Sequence, residues 1–302
     1  MRAVRLHEPG GIEALRVEEV ATPEPGPEDA LVQVHAAAIT RDELEWPTDR
    51  LPATPSYELS GVVVALGPEA EGVEPGDAVY ALAGFDRDGA AAEYALVSAR
   101  FLASKPKTLD HVESAAIPLA ALSAWQGLFD HGRLERGQRV LVHGASGGVG
   151  HFAVQLARRH GAHVIGTTSP GGVDAVRALG ADEVIDHAAV RFEDAVEPVD
   201  LVFDTAGGER LERSPTVVKE GGRLVSVATE PPSEAAARGI ETVYFVVEPN
   251  CAQLVEIAAL VDAGDLRPTI DTVYPLAQAR AAFERSLGVH GAGKIVLSVA
   301  NA

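Results

Sequence analysis

Apolar and polar positions divide the chain into two textures. Up to about residue 115 the apolar runs are short, as in Leu31-Val32-Gln33-Val34-His35 and Ser60-Gly61-Val62-Val63-Val64-Ala65-Leu66. Turns rich in glycine and proline part them, as in Glu24-Pro25-Gly26-Pro27 and Glu74-Pro75-Gly76-Asp77. This texture predicts a twisted antiparallel sheet or barrel. A helical stretch follows from near Asp110 to about His131, with a break at Pro118. From Gly137 onward, strand-length apolar runs alternate with helix-length segments, at 139–143, 163–167, 183–186, 200–204, 223–227 and 242–247. Between the first two, Val149, Phe152, Ala153 and Leu156 recur at i, i+3, i+4 and i+7 and make one apolar helix face. Asn250 reads as the N-cap of a later helix bearing Leu254, Ile257, Ala258 and Val261. Past Gly264 come a strand, a helix around 277–287 and a closing strand at 294–299, expected to return to the first domain. The predicted fold is α/β: a β-rich domain over 1–118, a doubly wound parallel sheet over 119–265 and a return segment over 266–302.

Composition narrows the function classes. With 302 residues, 46% hydrophobic and 23% charged, the chain suits two packed domains and is not a disordered polymer. Its 25 basic and 44 acidic side chains give a formal charge of −19. That field repels phosphate backbones and anionic bilayers, so neither nucleic acid nor membrane is an expected partner. The lone cysteine, Cys251, excludes an intrachain disulfide and a multi-cysteine zinc site. No apolar run is long enough to span a bilayer, and Met1 to Pro9 lack the apolar core of a signal peptide. A cytoplasmic location is expected.

The most informative segment runs Val142-His143-Gly144-Ala145-Ser146-Gly147-Gly148-Val149-Gly150. A predicted strand ends in a glycine-rich turn that opens a helix. Such a turn lets backbone N–H groups approach a pyrophosphate at a helix N-terminus. Gly144, Ala145, Ser146, Gly147, Gly148 and Val149 are therefore candidate cofactor contacts. The end of the second strand then selects the dinucleotide. An NAD site usually carries Asp or Glu there for the ribose 2′-OH. Here Gly166-Thr167-Thr168-Ser169-Pro170-Gly171-Gly172 has no acid before Asp174. Hydroxyls such as those of Thr167 and Ser169 can bind a 2′-phosphate that a carboxylate would repel, so NADP(H) is favoured.

Ordered matches carry a resemblance across essentially the whole chain. They include Leu59-Ser60-Gly61-Val62-Val63, Pro75-Gly76-Asp77-Ala78-Val79-Tyr80, Leu122-Ser123-Ala124-Trp125-Gln126-Gly127-Leu128, Leu179-Gly180-Ala181-Asp182-Glu183-Val184, Asp204-Thr205-Ala206-Gly207-Gly208 and Gly293-Lys294-Ile295-Val296-Leu297. The sequence resembles the zinc-independent, zeta-crystallin-like quinone oxidoreductase branch of the medium-chain dehydrogenase/reductases. The resemblance implies a GroES-like domain at both chain ends, an inserted Rossmann domain and NADPH in the cleft between them. It places Ser123 beside the cofactor. It makes cofactor walls of Thr205, Ala206 and Gly207, of Val227 and Ala228, and of Tyr244-Phe245-Val246-Val247. It also implies a homodimer, with the sixth Rossmann strand as the joining edge. Two family positions differ: Gly171 stands where a lysine commonly meets the 2′-phosphate, and His187 where a tyrosine commonly stands. Ser169, His187 and Arg177 are the substitutes at hand, with a solvated loop histidine an equal reading of His187. Lys294 is either a cofactor contact or a solvated lysine.

Zinc-dependent relatives use a Cys and a Gly-His-Glu segment. Thr40 stands near the Cys position, Pro55-Ser56-Tyr57-Glu58 replaces Gly-His-Glu, and Cys251 lies far off as a small buried apolar residue. Three protein ligands for catalytic zinc cannot be assembled, so no metal is expected. Without one, hydride delivery to a quinone or conjugated enone is the easier chemistry, because developing charge delocalises to an oxygen. The candidate pocket holds Thr40, Asp42, Trp46, Tyr57 and Glu58. Tyr57 is the candidate proton donor, against a packed aromatic as the alternative. Trp46 would shape the pocket, Asp42 and Glu58 would hold local structure, and Phe245 would be either a platform or sheet-edge packing. Two other functions stay open: an enoyl or ketone reductase tailoring a secondary metabolite, and a cofactor-binding sensor with little catalysis.

Overall fold

The computed structural model describes residues 1–9, 11–46, 49–288 and 291–299. The first lobe is built on the long strand Asp29–Ile39. It pairs antiparallel with Glu58–Leu66, Tyr94–Ser98 and the closing strand Lys294–Ser298. Ala78–Leu82 and Ala103–Ser104 extend the sheet on one side and Ile270–Pro275 on the other. Its apolar residues are buried on both faces, Ala30, Val32, Val34 and Ala36 on one and Leu31 and Ala37 on the other, while Gln33 is exposed. Ile270–Pro275 and Lys294–Ser298 run parallel, not antiparallel, because the helix Ala279–Leu287 carries the chain back as a crossover between them.

The second lobe holds a six-stranded parallel sheet. Its strands are Arg139–His143, His163–Thr168, Glu183–Asp186, Val199–Asp204, Val218–Ser226 and Glu241–Tyr244, in spatial order 3-2-1-4-5-6. The helix Gly150–His160 buries the face predicted for it, with Phe152 and Ala153 fully enclosed and Leu156 nearly so. Burying Phe152 alone contributes roughly 1.5–3 kcal/mol. The helix stops at Gly161, whose φ of 91° is the left-handed cap that glycine adopts without steric cost. The sixth strand is shorter than its apolar run suggests. The Gln126 side chain takes the Glu248 amide at 3.0 Å, so the chain leaves the sheet after Tyr244.

Between the lobes, Asp110 caps the helix His111–Ala115 with a capping box, and Pro118 opens the next helix, Pro118–Trp125. The lobes are also joined directly. Tyr80 Oη donates to Leu254 O at 2.6 Å, and Cys251 Sγ to Leu102 O at 3.0 Å. Cys251 opens the helix Cys251–Asp262, half-buried, with Asn250 as its N-cap.

Candidate active site

The carboxyl ends of four adjacent strands fall in register. Thr167 lies opposite His143, His143 opposite Asp204, and Asp204 opposite Ser226. All four side chains are fully buried. His143 Nδ1 meets Thr167 Oγ1 at 2.9 Å and its Nε2 meets Ser214 Oγ at 3.0 Å. Ser226 Oγ donates to Asp204 Oδ2 at 2.9 Å. Burial lowers His143 to about 3, so it is neutral, and burial raises Asp204. Asp204 in turn accepts the Gly207 amide at 3.0 Å, and Ser226 Oγ the Ala228 amide at 3.1 Å. This polar row therefore fixes the loops after the fourth and fifth strands, at the switch point where such sheets bind ligands.

Above the row sits the glycine turn. Gly144 has a φ of 71°, and a Cβ on Gly150 would lie 2.1 Å from Gly144 O, so the turn folds back onto the helix start only because both lack side chains. Among the described residues, the amides of Ser146, Gly148 and Val149 have no hydrogen-bond partner. The cradle thus presents free N–H groups at the N-terminus of the helix Gly150–His160, as an anion site requires. Two bonds hold it to the returning chain. Gly293 N donates to Ser146 O at 2.9 Å, and His151, kept neutral by burial that lowers it to about 4, bridges Gly147 O at 3.0 Å and Thr269 N at 3.1 Å.

Several predicted contacts are placed differently. Thr167 turns its hydroxyl inward to His143 and is fully buried, so its side chain does not reach the cradle's open side. Thr168 bonds Ser146 Oγ at 2.7 Å instead. Ser123 is buried and donates to Leu119 O at 2.7 Å within its own helix. Thr205 donates to His143 O at 2.7 Å beside Gly144. Ala206 and Val246 are exposed, Val227 is half-buried, and Phe245 is buried with its ring 4.4 Å from that of His131. Ser169 and His187 are exposed at the end of the second and third strands, with His187 N donating to Thr168 O at 3.1 Å. Sequence reading missed Arg210. It lies near His143, His187 and Asp204, pulling each of them down, and its Nε has no hydrogen-bond partner among the described residues. No short motif marks it, because its neighbours come from other strands.

Lys294 is neither solvated nor free. It is 4% exposed; its Nζ lies 2.5 Å from Glu58 Oε1 and donates to Ile39 O at 2.9 Å. Its stem lies against the cradle, since a Cβ on Gly148 would come 3.0 Å from Lys294 Cδ. Glu58 Oε2 accepts the Leu119 amide at 2.9 Å. Next to this pair is Glu43, fully buried and also unforeseen. Ser56 Oγ reaches its Oε1 at 3.3 Å, while Oε2 has no partner among the described residues. Ser56 holds the left-handed φ of 68° to make that contact. Burial raises Glu43 to about 8; Lys294, the Thr40 backbone and Ser56 pull it down, and Glu58 pushes it further up.

Tyr57 is fully buried, its ring 5.1 Å from that of Phe85 and 5.8 Å from that of Trp46, which is 36% exposed. Arg50 Nη2 donates to its hydroxyl at 3.1 Å, leaving the phenol hydrogen able to donate elsewhere. Burial raises the phenol's pKa, which keeps that hydrogen in place.

Glu43 makes stability depend on pH with a definite sign. The folded chain keeps a proton that the unfolded chain releases above its ordinary value of 4.5, so stability falls as pH rises from there to about 8. His143 and His151 act oppositely, adding stability as pH rises to their ordinary value of 6.5 and nothing above it. Unfolding free energies from urea titrations between pH 6.5 and 8 should therefore decline by up to about 1.4 kcal/mol per pH unit, and Glu43→Gln should flatten that slope.

Two family models match: alcohol dehydrogenase GroES-like domain over residues 26–107 and zinc-binding dehydrogenase over residues 179–297. A protein of Arthroderma benhamiae named probable zinc-binding oxidoreductase, mitochondrial, is 34% identical, covering 94% of this chain and 93% of its own. The chain belongs to the medium-chain dehydrogenase/reductase family. An NADPH-dependent alkenal/one oxidoreductase, chloroplastic, of Arabidopsis thaliana is 32% identical to this medium-chain dehydrogenase/reductase over 98% of the chain and 79% of the relative. The solved quinone oxidoreductase of Coxiella burnetii superposes with a TM-score of 0.92 at 30% identity, over 99% of each chain.

Two of these names mention zinc, and the side chains present do not fit one here. Thr40 and Tyr57 offer hydroxyls, and Glu58 is already spent on Lys294 and Leu119 N. The described residues contain no group of three His, Cys, Asp or Glu side chains able to hold a metal ion. A dinucleotide, by contrast, fits the cradle's free amides. Among the described residues no helix is long and apolar enough to cross a membrane.

Proposed function

We propose that this medium-chain dehydrogenase/reductase is a zinc-independent oxidoreductase that uses NADPH to reduce a quinone or a conjugated enone. The observation that carries the reading is the cradle: free amides of Ser146, Gly148 and Val149 at the N-terminus of the helix Gly150–His160. Relatives bearing quinone and alkenal/one oxidoreductase names support the acceptor class. The bound nicotinamide supplies the hydride. The chain's own residues supply the rest. The amides of Ser146, Gly148 and Val149 hold the pyrophosphate, Thr205, Ala206 and Val227 line the nicotinamide's approach, and Phe245 and Val246 close the far wall. Trp46, Phe85 and Tyr57 form an apolar wall for a planar acceptor and exclude water. NADPH is favoured over NADH because the second-strand end carries no acid, while Ser169 and His187 stand there and Arg210 lies near His187.

A domain division at 1–118, 119–265 and 266–302, a cytoplasmic setting and a homodimer joined at the Glu241–Tyr244 edge belong to the same reading. Among the described residues that strand has a neighbour on one side only. Calorimetric titration should give tighter binding of NADPH than of NADH, and NADPH oxidation should proceed with quinones or enones. Binding without turnover on any such acceptor would leave a cofactor-binding sensor instead. Tyr57→Phe should lower turnover about tenfold with little change in NADPH affinity; an unchanged rate removes Tyr57 as a donor.

A further inference from the structure

The loop that carries Phe85 is pinned by one side chain. Ala83 N donates to Tyr57 O at 2.7 Å and Gly89 N to Thr54 O at 2.7 Å, so the chain is paired on either side of residues 84–88. Within that span, the carbonyls of Phe85 and Arg87 take no backbone amide among the described residues. Both accept from Arg50 Nη2, Arg87 O at 3.1 Å, and the same nitrogen donates to Tyr57 Oη at 3.1 Å. The far end of the loop has a separate anchor, because Asp88 takes Thr54 N at 2.8 Å and Arg5 Nη1 at 2.7 Å. Arg50 holds the end that bears the aromatic ring. It is half-buried, and among the described residues its ion pair is a 3.2 Å contact with Asp49, whose side chain is 78% exposed. Such a pair adds little stability. The effect of Arg50 is geometric: a planar guanidinium fixes oxygens from two segments in one arrangement.

The pinned ring belongs to an aromatic trio. Phe85 meets Trp46 edge-on, at 5.4 Å and 88°, and Tyr57 at 5.1 Å. Tyr57 is fully buried, Phe85 half-buried and Trp46 exposed, so the open part of the face is Phe85 with Trp46. Tyr57 and Phe85 also pack into the apolar core that the two lobes share. That core takes in Ala145 and Val149 of the glycine turn, and Val227 and Phe245 just past the fifth and sixth strands. The loop therefore stands at the junction of the lobes, on the same core as the cradle. We propose that Arg50 is a positioning residue that sets acceptor preference: by pinning Phe85 beside Tyr57 it keeps a rigid aromatic face that favours flat conjugated rings over short aliphatic enones. The proposal rests on the quinone or enone reductase reading. Arg50 acts through Phe85 and Tyr57, not on the reacting atoms. A flat acceptor stacks on a ring already held still, with little ordering left to do, whereas a short enone presents too small a face to benefit.

The test uses the full-length chain with NADPH and two acceptors, naphthoquinone and methyl vinyl ketone. In Arg50→Ala, kcat/KM for naphthoquinone should fall about tenfold, chiefly through KM, while the value for methyl vinyl ketone and the affinity for NADPH stay within about twofold. Methylguanidinium below denaturing concentrations should restore the naphthoquinone KM of Arg50→Ala and leave the wild type unchanged. In a Trp125→Phe background, where Trp46 is the remaining tryptophan, Arg50→Ala should also increase acrylamide quenching of its fluorescence. Arg50→Lys keeps the charge without the fork and should show most of the same loss, which preserves the test if Arg50→Ala does not fold. Phe85→Leu removes the ring, and adding Arg50→Ala to it should change the acceptor ratio no further. An unchanged ratio of the two acceptors in both Arg50 variants, or an equal loss with each, overturns the positioning role while the reductase reading stands. A chain that reduces neither acceptor overturns the reductase reading and the preference together.

Discussion

Gly150→Ala should abolish useful coenzyme binding. The added methyl would stand 2.1 Å from Gly144 O and 2.8 Å from Ala145 Cα, and both are backbone atoms of the cradle itself. No rotamer relieves that overlap, so the turn must move off the helix start and scatter the amides of Ser146, Gly148 and Val149. Overpacking of this kind costs about 1–3 kcal/mol of stability. A comparable loss on the binding side raises the NADPH dissociation constant by about 100-fold. Gly171→Ala supplies the control, because a Cβ there meets nothing within 4 Å. Calorimetric titration of both variants decides the matter: equal affinities would show that the cradle does not grip the coenzyme.

The second large effect is on folding. Among the described residues, Lys294→Met removes the only ammonium enclosed with Glu58 and Glu43 and leaves Glu58 without its partner at 2.5 Å. Breaking a buried pair from one side costs about 3–5 kcal/mol, since the remaining charge stays enclosed. The double variant Lys294→Met with Glu58→Gln should recover much of that loss, because a neutral amide can still accept the Leu119 amide. Denaturant midpoints of the two variants test this. No recovery in the double variant would mean that Lys294 stabilises through its stem on Gly148 and its bond to Ile39 O instead.

The parts of the fold legible in the sequence are those whose cause is local. The helix face Phe152-Ala153-Leu156, the N-cap Asn250 and the turn from Gly144 to Gly150 each follow from neighbours a few residues away. The site was harder to read, because its decisive groups come together only in three dimensions. Glu43 sits in Asp42-Glu43-Leu44-Glu45, which reads as a solvated acidic turn. The short 3₁₀ turn Glu43–Glu45 tucks it against Ser56 and Lys294. Lys294 and Ile39 are 255 positions apart, and nothing near either residue announces their contact. Asp204, read as part of a family motif, is the carboxylate that sets the loop it precedes, and only strand register reveals Ser226 as its partner. Thr167 erred the other way: a hydroxyl at a strand end suggested a ligand, but alternation along the strand points it inward to His143.

The closing strand has a consequence for biosynthesis. As the chain leaves the ribosome, every residue of the parallel sheet emerges before Gly293 and Lys294, which brace the glycine turn and neutralise Glu58. A nascent chain halted at residue 265 would own the whole nucleotide sheet and yet carry an unbraced loop and an exposed acid. The brace on the glycine turn thus arrives late in translation, after the sheet that carries the turn is complete.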